Sequence, residues 1–92
     1  MPLAPNRTAA QIIGRLRAAG FTVNIPAEPY RRVYSIPISR GMYFGVLDVS
    51  ADKGRALRIS LTWQPNNTNR KRSGASEIIG LLNCLPQYGW TN

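Results

Sequence analysis

The chain has 92 residues, with 12 Lys and Arg against 4 Asp and Glu and no His, for a net charge of +8. That length sets one domain, which buries about 60–65% of its unfolded surface and so has one thin core and no deep catalytic cleft. Hydrophobic residues make up 43%, a globular composition, and no apolar run approaches the ~20 residues of a membrane span; without a signal-like N-terminus, a soluble cytoplasmic protein is expected.

Met1 to Pro5 form a Pro-rich lead-in. Thr8 followed by Gln11 reads as a capping box opening a helix over Thr8–Ala19. Ile12, Ile13, Leu16 and Ala19 supply its apolar stripe, and Gly20 its stop. Phe21, Val23 and Ile25 alternate along a short strand ending at Pro26. Arg32–Ser39 is a second strand, in which Pro37 lacks a ladder donor and argues for an edge or a bulge.

Arg40-Gly41 suits a two-residue hairpin turn, which sets Ile38 opposite Tyr43 and Tyr34 opposite Leu47. A fourth strand alternates Leu57, Ile59, Leu61 and Trp63 inward with Arg58, Ser60 and Thr62 outward. Pairing Asp48 with Arg58 across the Asp52-Lys53-Gly54 turn makes both hairpins agree on the buried face. The outer face then carries Val33, Ser35, Pro37, Met42, Phe44 and Val46, apolar for a solvated surface.

Gln64–Ser76 reads as a polar loop whose Ser73 or Ser76 caps a last helix with Ile78, Ile79, Leu82 and Leu85 buried and Pro86 as its end. Cys84 falls on that apolar side as a core residue, and Tyr88 and Trp90 pack back on the core. The expected fold is α+β: an N-terminal helix, an antiparallel sheet of three to four strands and a C-terminal helix (αββββα), with both helices on one face of the sheet.

The residue inventory restricts the chemistry. Without histidine there is no His-containing zinc site, no Cys-His or Ser-His pair and no His general base. Cys84 alone excludes an internal disulfide. Glu28, Asp48, Asp52 and Glu77 form no ligand-spaced motif, and Gly41, Gly45, Gly54 and Gly80 form no phosphate loop. The chain is read as non-enzymatic, with no cofactor and no metal.

Ten of the 12 cations are arginine, and none follows Ser73. A one-sided basic surface favours an anionic partner, and arginine suits phosphate through planar bidentate donors. Asn66, Asn67, Asn69, Arg70, Lys71 and Arg72 ahead of the last helix form a candidate phosphate-binding corner, although the same stretch also reads as a solvated loop. Tyr30, Arg31, Arg32 and Tyr34 interleave rings with arginine as single-strand binders do, with Tyr30 the free ring. Arg40 and Arg58 complete the candidate set. Phe44 with Met42 reads either as a stacking contact or as a protein seam.

The order of helix, antiparallel sheet and helix resembles the double-stranded RNA-binding domain, which implies a phosphate grip at the N-terminal end of the last helix. Here Arg70, Lys71 and Arg72 precede that helix rather than lying in its first turns, and an extra strand, Phe21 to Ile25, follows the first helix. In length, charge and lack of catalytic residues the chain is also similar to phage-encoded anti-CRISPR proteins, the small inhibitors of type I-F surveillance complexes. That similarity implies contact with guide RNA or surveillance-complex subunits, blocking target DNA binding. The sequence therefore points to a basic protein engaging RNA or a ribonucleoprotein, monomeric rather than an obligate oligomer and without a membrane partner. The alternatives are a stand-alone RNA- or DNA-binding module of phage or plasmid origin, or a structural subunit pairing through Phe44.

Overall fold

The computed structural model describes residues 2–90, so Met1 of the lead-in lies outside them. The fold is α+β: helix α1 (Arg7–Ala18), strands β1 (Thr22–Val23), β2 (Val33–Arg40), β3 (Tyr43–Ser50), β4 (Ala56–Trp63) and β5 (Thr68–Ser73), then helix α2 (Ala75–Asn83). The five strands form one antiparallel sheet in the order β1-β2-β3-β4-β5.

Asn6, not Thr8, caps α1: its Oδ1 accepts from Ala9 N–H at 2.8 Å. Asn6 N–H in turn donates to Gly54 O at 2.8 Å, which ties the helix entry to the β3–β4 turn and moves the cap upstream. Gly54 (φ +62) is required there, since a Cβ would run into Ala4 O and lie 2.7 Å from Asn6 N. Ala9, Ile12, Ile13 and Leu16 are buried, whereas Ala19 is an exposed C-cap. Gly20 has the left-handed φ of +94 expected of a helix stop.

The alternation after the helix ends at Val23, and Ile25 is exposed. Asn24 N–H donates to Pro37 O at 3.2 Å, and Pro37 has no N–H to return, so β1 stops after two residues. Pro37 thus sits where β2 is almost an edge. The β2–β3 turn is Gly41-Met42 rather than Arg40-Gly41, which shifts the pairing by two residues and sets Ile38 opposite Gly45 and Ile36 opposite Leu47. Glycine at the first central position (φ +56) provides the positive φ of a II′ turn, and a two-residue shift leaves every side chain on its expected face.

Asp48 pairs with Arg58 as expected, but a bulge follows and Val49 faces Ala56. The extra residue, Leu57, is left half-buried while Ala56 takes its core position. Gln64–Ser76 is not a loop. After a short 3-10 turn at Gln64–Asn66 and a left-handed Asn67 (φ 54), the chain returns as β5 along six residues of β4. Asn66 organises that return: its Oδ1 accepts from Thr68 N–H at 3.1 Å and from the Thr68 hydroxyl, and its Nδ2 donates to Trp90 O at 3.1 Å.

Gly74 (φ 87), rather than Ser73 or Ser76, caps α2, because Ser73 is still in β5 and Ser76 lies in the first helical turn. Ile78, Leu81 and Leu82 are buried; Ile79 and Leu85 are half-buried. The helix ends at Asn83, before Pro86, so Cys84 is an exposed C-cap and not a core residue. Trp90 returns to the core at 8% exposure, edge-on to Tyr43 at 5.2 Å, while Tyr88 stays 84% exposed. The buried residues of both helices join Tyr34, Ile36, Ile38, Tyr43, Leu47, Val49, Ile59 and Leu61 in a single cluster, all drawn from one side of the sheet.

Candidate nucleic-acid interface

The other side of the sheet is set by strand alternation. Its cross-strand rows read Thr22–Ser39–Phe44–Thr62–Asn69, then Pro37–Val46–Ser60–Lys71, then Ser35–Asp48–Arg58–Ser73. Phe44 lies on the central strand and is 49% exposed, with Met42 and Val46 exposed beside it. Its cross-strand neighbours Ser39 and Thr62 are short, so the ring stands above them. This is a flat face with one aromatic platform, small hydroxyls and cations toward one corner.

In that corner a shallow depression of about 320 Å³ lies among Val46, Asp48, Arg58, Ile59, Ser60, Lys71, Arg72 and Ser73. Arg58 Nε donates to Asp48 Oδ2 at 3.0 Å, a bond that holds the guanidinium beside the carboxylate while the Arg58 side chain stays 54% exposed. Asp48 Oδ1 is buried and, among the described residues, has no hydrogen-bond partner. Asn69 Nδ2 donates to Thr62 Oγ1 at 2.8 Å and Ser60 Oγ at 3.0 Å, which braces β5 against β4 on the same face.

The Arg70-Lys71-Arg72 cluster is divided by the strand. Alternation puts Lys71 on the outer face beside Ser60, and Arg70 and Arg72 on the core side opposite Leu61 and Ile59. Arg70 is half-buried with its guanidinium 5.6 Å from the Trp90 ring, and Arg72 Nη1 donates to Lys71 O at 2.7 Å. Arg70 is thus parted from the other two, while Arg72 borders the depression together with Lys71 and Arg58. Asn67 is the left-handed residue of the turn into β5, away from that depression.

Arg40 is also held: its guanidinium lies over the Phe21 and Tyr43 rings at 4.9 and 5.1 Å, and Nη1 donates to Ala19 O at 3.0 Å. Arg15 is hydrogen-bonded to Asn83. The cations are therefore not gathered on one face. Arg7, Arg15 and Arg17 belong to α1, and Arg58 and Lys71 to the sheet face opposite the hydrophobic cluster. Tyr34 is buried, whereas Tyr30 is 73% exposed with Arg31 stacked at 5.3 Å.

Val46, Asp48, Ser60 and Ser73 were outside the expected site. The outward alternation of β4 already pointed to Ser60; Ser73 needed the fifth strand. Among the described residues, no three His, Cys, Asp or Glu side chains come together as a metal site, and no helix is long and apolar enough to cross a membrane. Comparison with protein-family models, with curated proteins and with solved structures finds no match to this chain.

Proposed function

We propose that this chain is a non-enzymatic binding protein for RNA or a ribonucleoprotein, and that it holds single-stranded RNA across the face of the sheet opposite the hydrophobic cluster. The reading takes both helices to lie on the cluster side, leaving the opposite side open. The observation that carries it is the exposed Phe44 ring at the centre of that side, with Lys71 and Arg58 one and two rows away. An aromatic stacks on any base, while neighbouring cations follow the backbone, so the pair binds single strands with little sequence preference. Duplex RNA, the partner of the double-stranded RNA-binding domain, is gripped instead by phosphate contacts at a helix N-terminus. The cluster that would serve there is split between two faces of β5.

The apolar run Met42, Phe44 and Val46 favours a second reading, in which the same face docks on a ribonucleoprotein, as an anti-CRISPR inhibitor of a type I surveillance complex would. Exposed apolar side chains serve a composite surface of protein and RNA better than RNA alone. Titration against labelled single-stranded RNA, duplex RNA and duplex DNA at two salt concentrations tests both. Preferential binding of single-stranded RNA, weakened by salt, supports the first reading. Failure to bind any naked nucleic acid rejects it and leaves the ribonucleoprotein reading.

A further inference from the structure

Tyr30 and Val33 exchange both backbone hydrogen bonds, N–H to O at 2.9 and 3.1 Å, and so close a two-residue turn with Arg31 and Arg32 at its centre. Both arginines are left-handed, with φ of 53 and 64. That is the type I′ geometry, which Asn-Gly adopts readily and which side chains bearing a long stem adopt at a conformational cost. Neither side chain offsets it by burial: both are exposed, and so is Tyr30. Strain of this kind persists where a conformation is needed for contact rather than for packing.

The turn's surroundings point to the ligand. Ala51 N–H donates to Arg32 O at 2.9 Å, which fixes the tip beside the β3–β4 turn, where Lys53 and Arg55 are exposed. The carboxylate of Asp52, which accepts from Lys53 N–H at 2.8 Å, stands on the same turn, so four cations face one carboxylate there. Four cations thus stand on two adjoining turns at the end of the sheet reached from Phe44 through Val46 and Asp48 along β3. We infer that the Arg31-Arg32 turn, with Lys53 and Arg55, is a phosphate-binding site for the backbone of the same single-stranded RNA as it leaves the sheet face. The inference rests on the RNA reading above and extends its footprint beyond the face. The left-handed pair places two exposed arginines at one tip, with the Arg31 guanidinium 5.3 Å from the Tyr30 ring.

The test uses the full chain and a labelled single-stranded RNA, with two double variants, R31N/R32G and K53A/R55A. R31N/R32G installs the preferred turn pair, so the fold is expected to gain, with Tm rising by about 4 °C or more. Its RNA affinity is expected to fall at least tenfold, and the salt slope by about 1.4 for two lost phosphate contacts on a single strand. K53A/R55A is expected to weaken binding in the same direction, since the Arg55 backbone bonds to Ser50 survive the substitution. Unchanged affinity in both variants, with the wild-type chain binding RNA, overturns this site and leaves the Phe44 face standing. A wild-type chain that binds no RNA overturns both. A Tm that does not rise in R31N/R32G overturns the account of a turn held against its conformational preference.

Discussion

Replacing Phe44 by Ala removes the aromatic platform while leaving the hydrophobic cluster intact. The ring is 49% exposed and flanked across the sheet by Ser39 and Thr62, so about half of its side chain is already in water. Full burial of a Phe is worth about 1.5–3 kcal/mol, so truncation is expected to cost about 1 kcal/mol of stability and leave the chain folded. Loss of one base-stacking contact costs about 1–3 kcal/mol of binding, which at 1.4 kcal/mol per tenfold is about 5- to 140-fold in Kd. Fluorescence anisotropy with a labelled single-stranded RNA reads that change, and thermal unfolding reads the stability term beside it. Phe44→Trp keeps a ring and is expected to keep the affinity. A folded Phe44→Ala variant that binds RNA as tightly as the parent chain refutes the assignment of this face.

The split basic cluster gives a paired test: Lys71→Ala is expected to lower the single-strand salt slope by about 0.7, whereas Arg70→Ala is expected to leave affinity within twofold. Arg70→Ala instead loses the contact with Trp90, worth about 0.5–1 kcal/mol, which thermal unfolding reads as a drop of about 2–8 °C. Gly89 has φ +97, and a Cβ there would run into the Trp63 ring. Gly89→Ala is therefore expected to dislodge Trp90, lowering stability by about 1–3 kcal/mol and reducing the near-ultraviolet circular dichroism. Burial raises the Tyr43 pKa above its usual 10.0, against the opposing pull of Arg40 and a backbone hydrogen bond. The neutral phenol is thus favoured in the folded chain, its contribution being full below pH 10 and lost as pH rises through the folded pKa. Tyr43→Phe is expected to flatten that alkaline decline in a pH series of melts.

Much of the sheet was legible because period-two patterning survives small errors of register. The β2–β3 turn lies one position later than Arg40-Gly41, yet the pairing moves by two residues and Ile36, Ile38 and Leu47 stay inward. The bulge beside Asp48 is different, since one extra residue exchanges Leu57 for Ala56 in the core, and nothing in an otherwise regular alternation marks it. The fifth strand was hidden for a compositional reason. Thr68–Ser73 contains five polar or charged residues besides Thr68, and no hydrophobic alternation reveals a strand whose inward positions are Thr68, Arg70 and Arg72. With the strand unseen, Arg70, Lys71 and Arg72 read as neighbours, although adjacent residues in a strand face opposite ways.

The sequence by itself determined the α+β class, the inward Ile12, Ile13 and Leu16 of α1 and Ile78 and Leu82 of α2, the pairing of Asp48 with Arg58 and the outward position of Phe44, because each follows from local periodicity and turn chemistry. Tertiary structure decided the rest: that Asn6 caps α1 through its tie to Gly54, that Arg40 and Arg70 are held on aromatic rings, that Cys84 and Tyr88 are exposed and that Arg31 and Arg32 share a left-handed turn. Each of these depends on segments distant in the chain, or on a backbone conformation that the residues' own preferences oppose, and neither is written in the spacing of side chains.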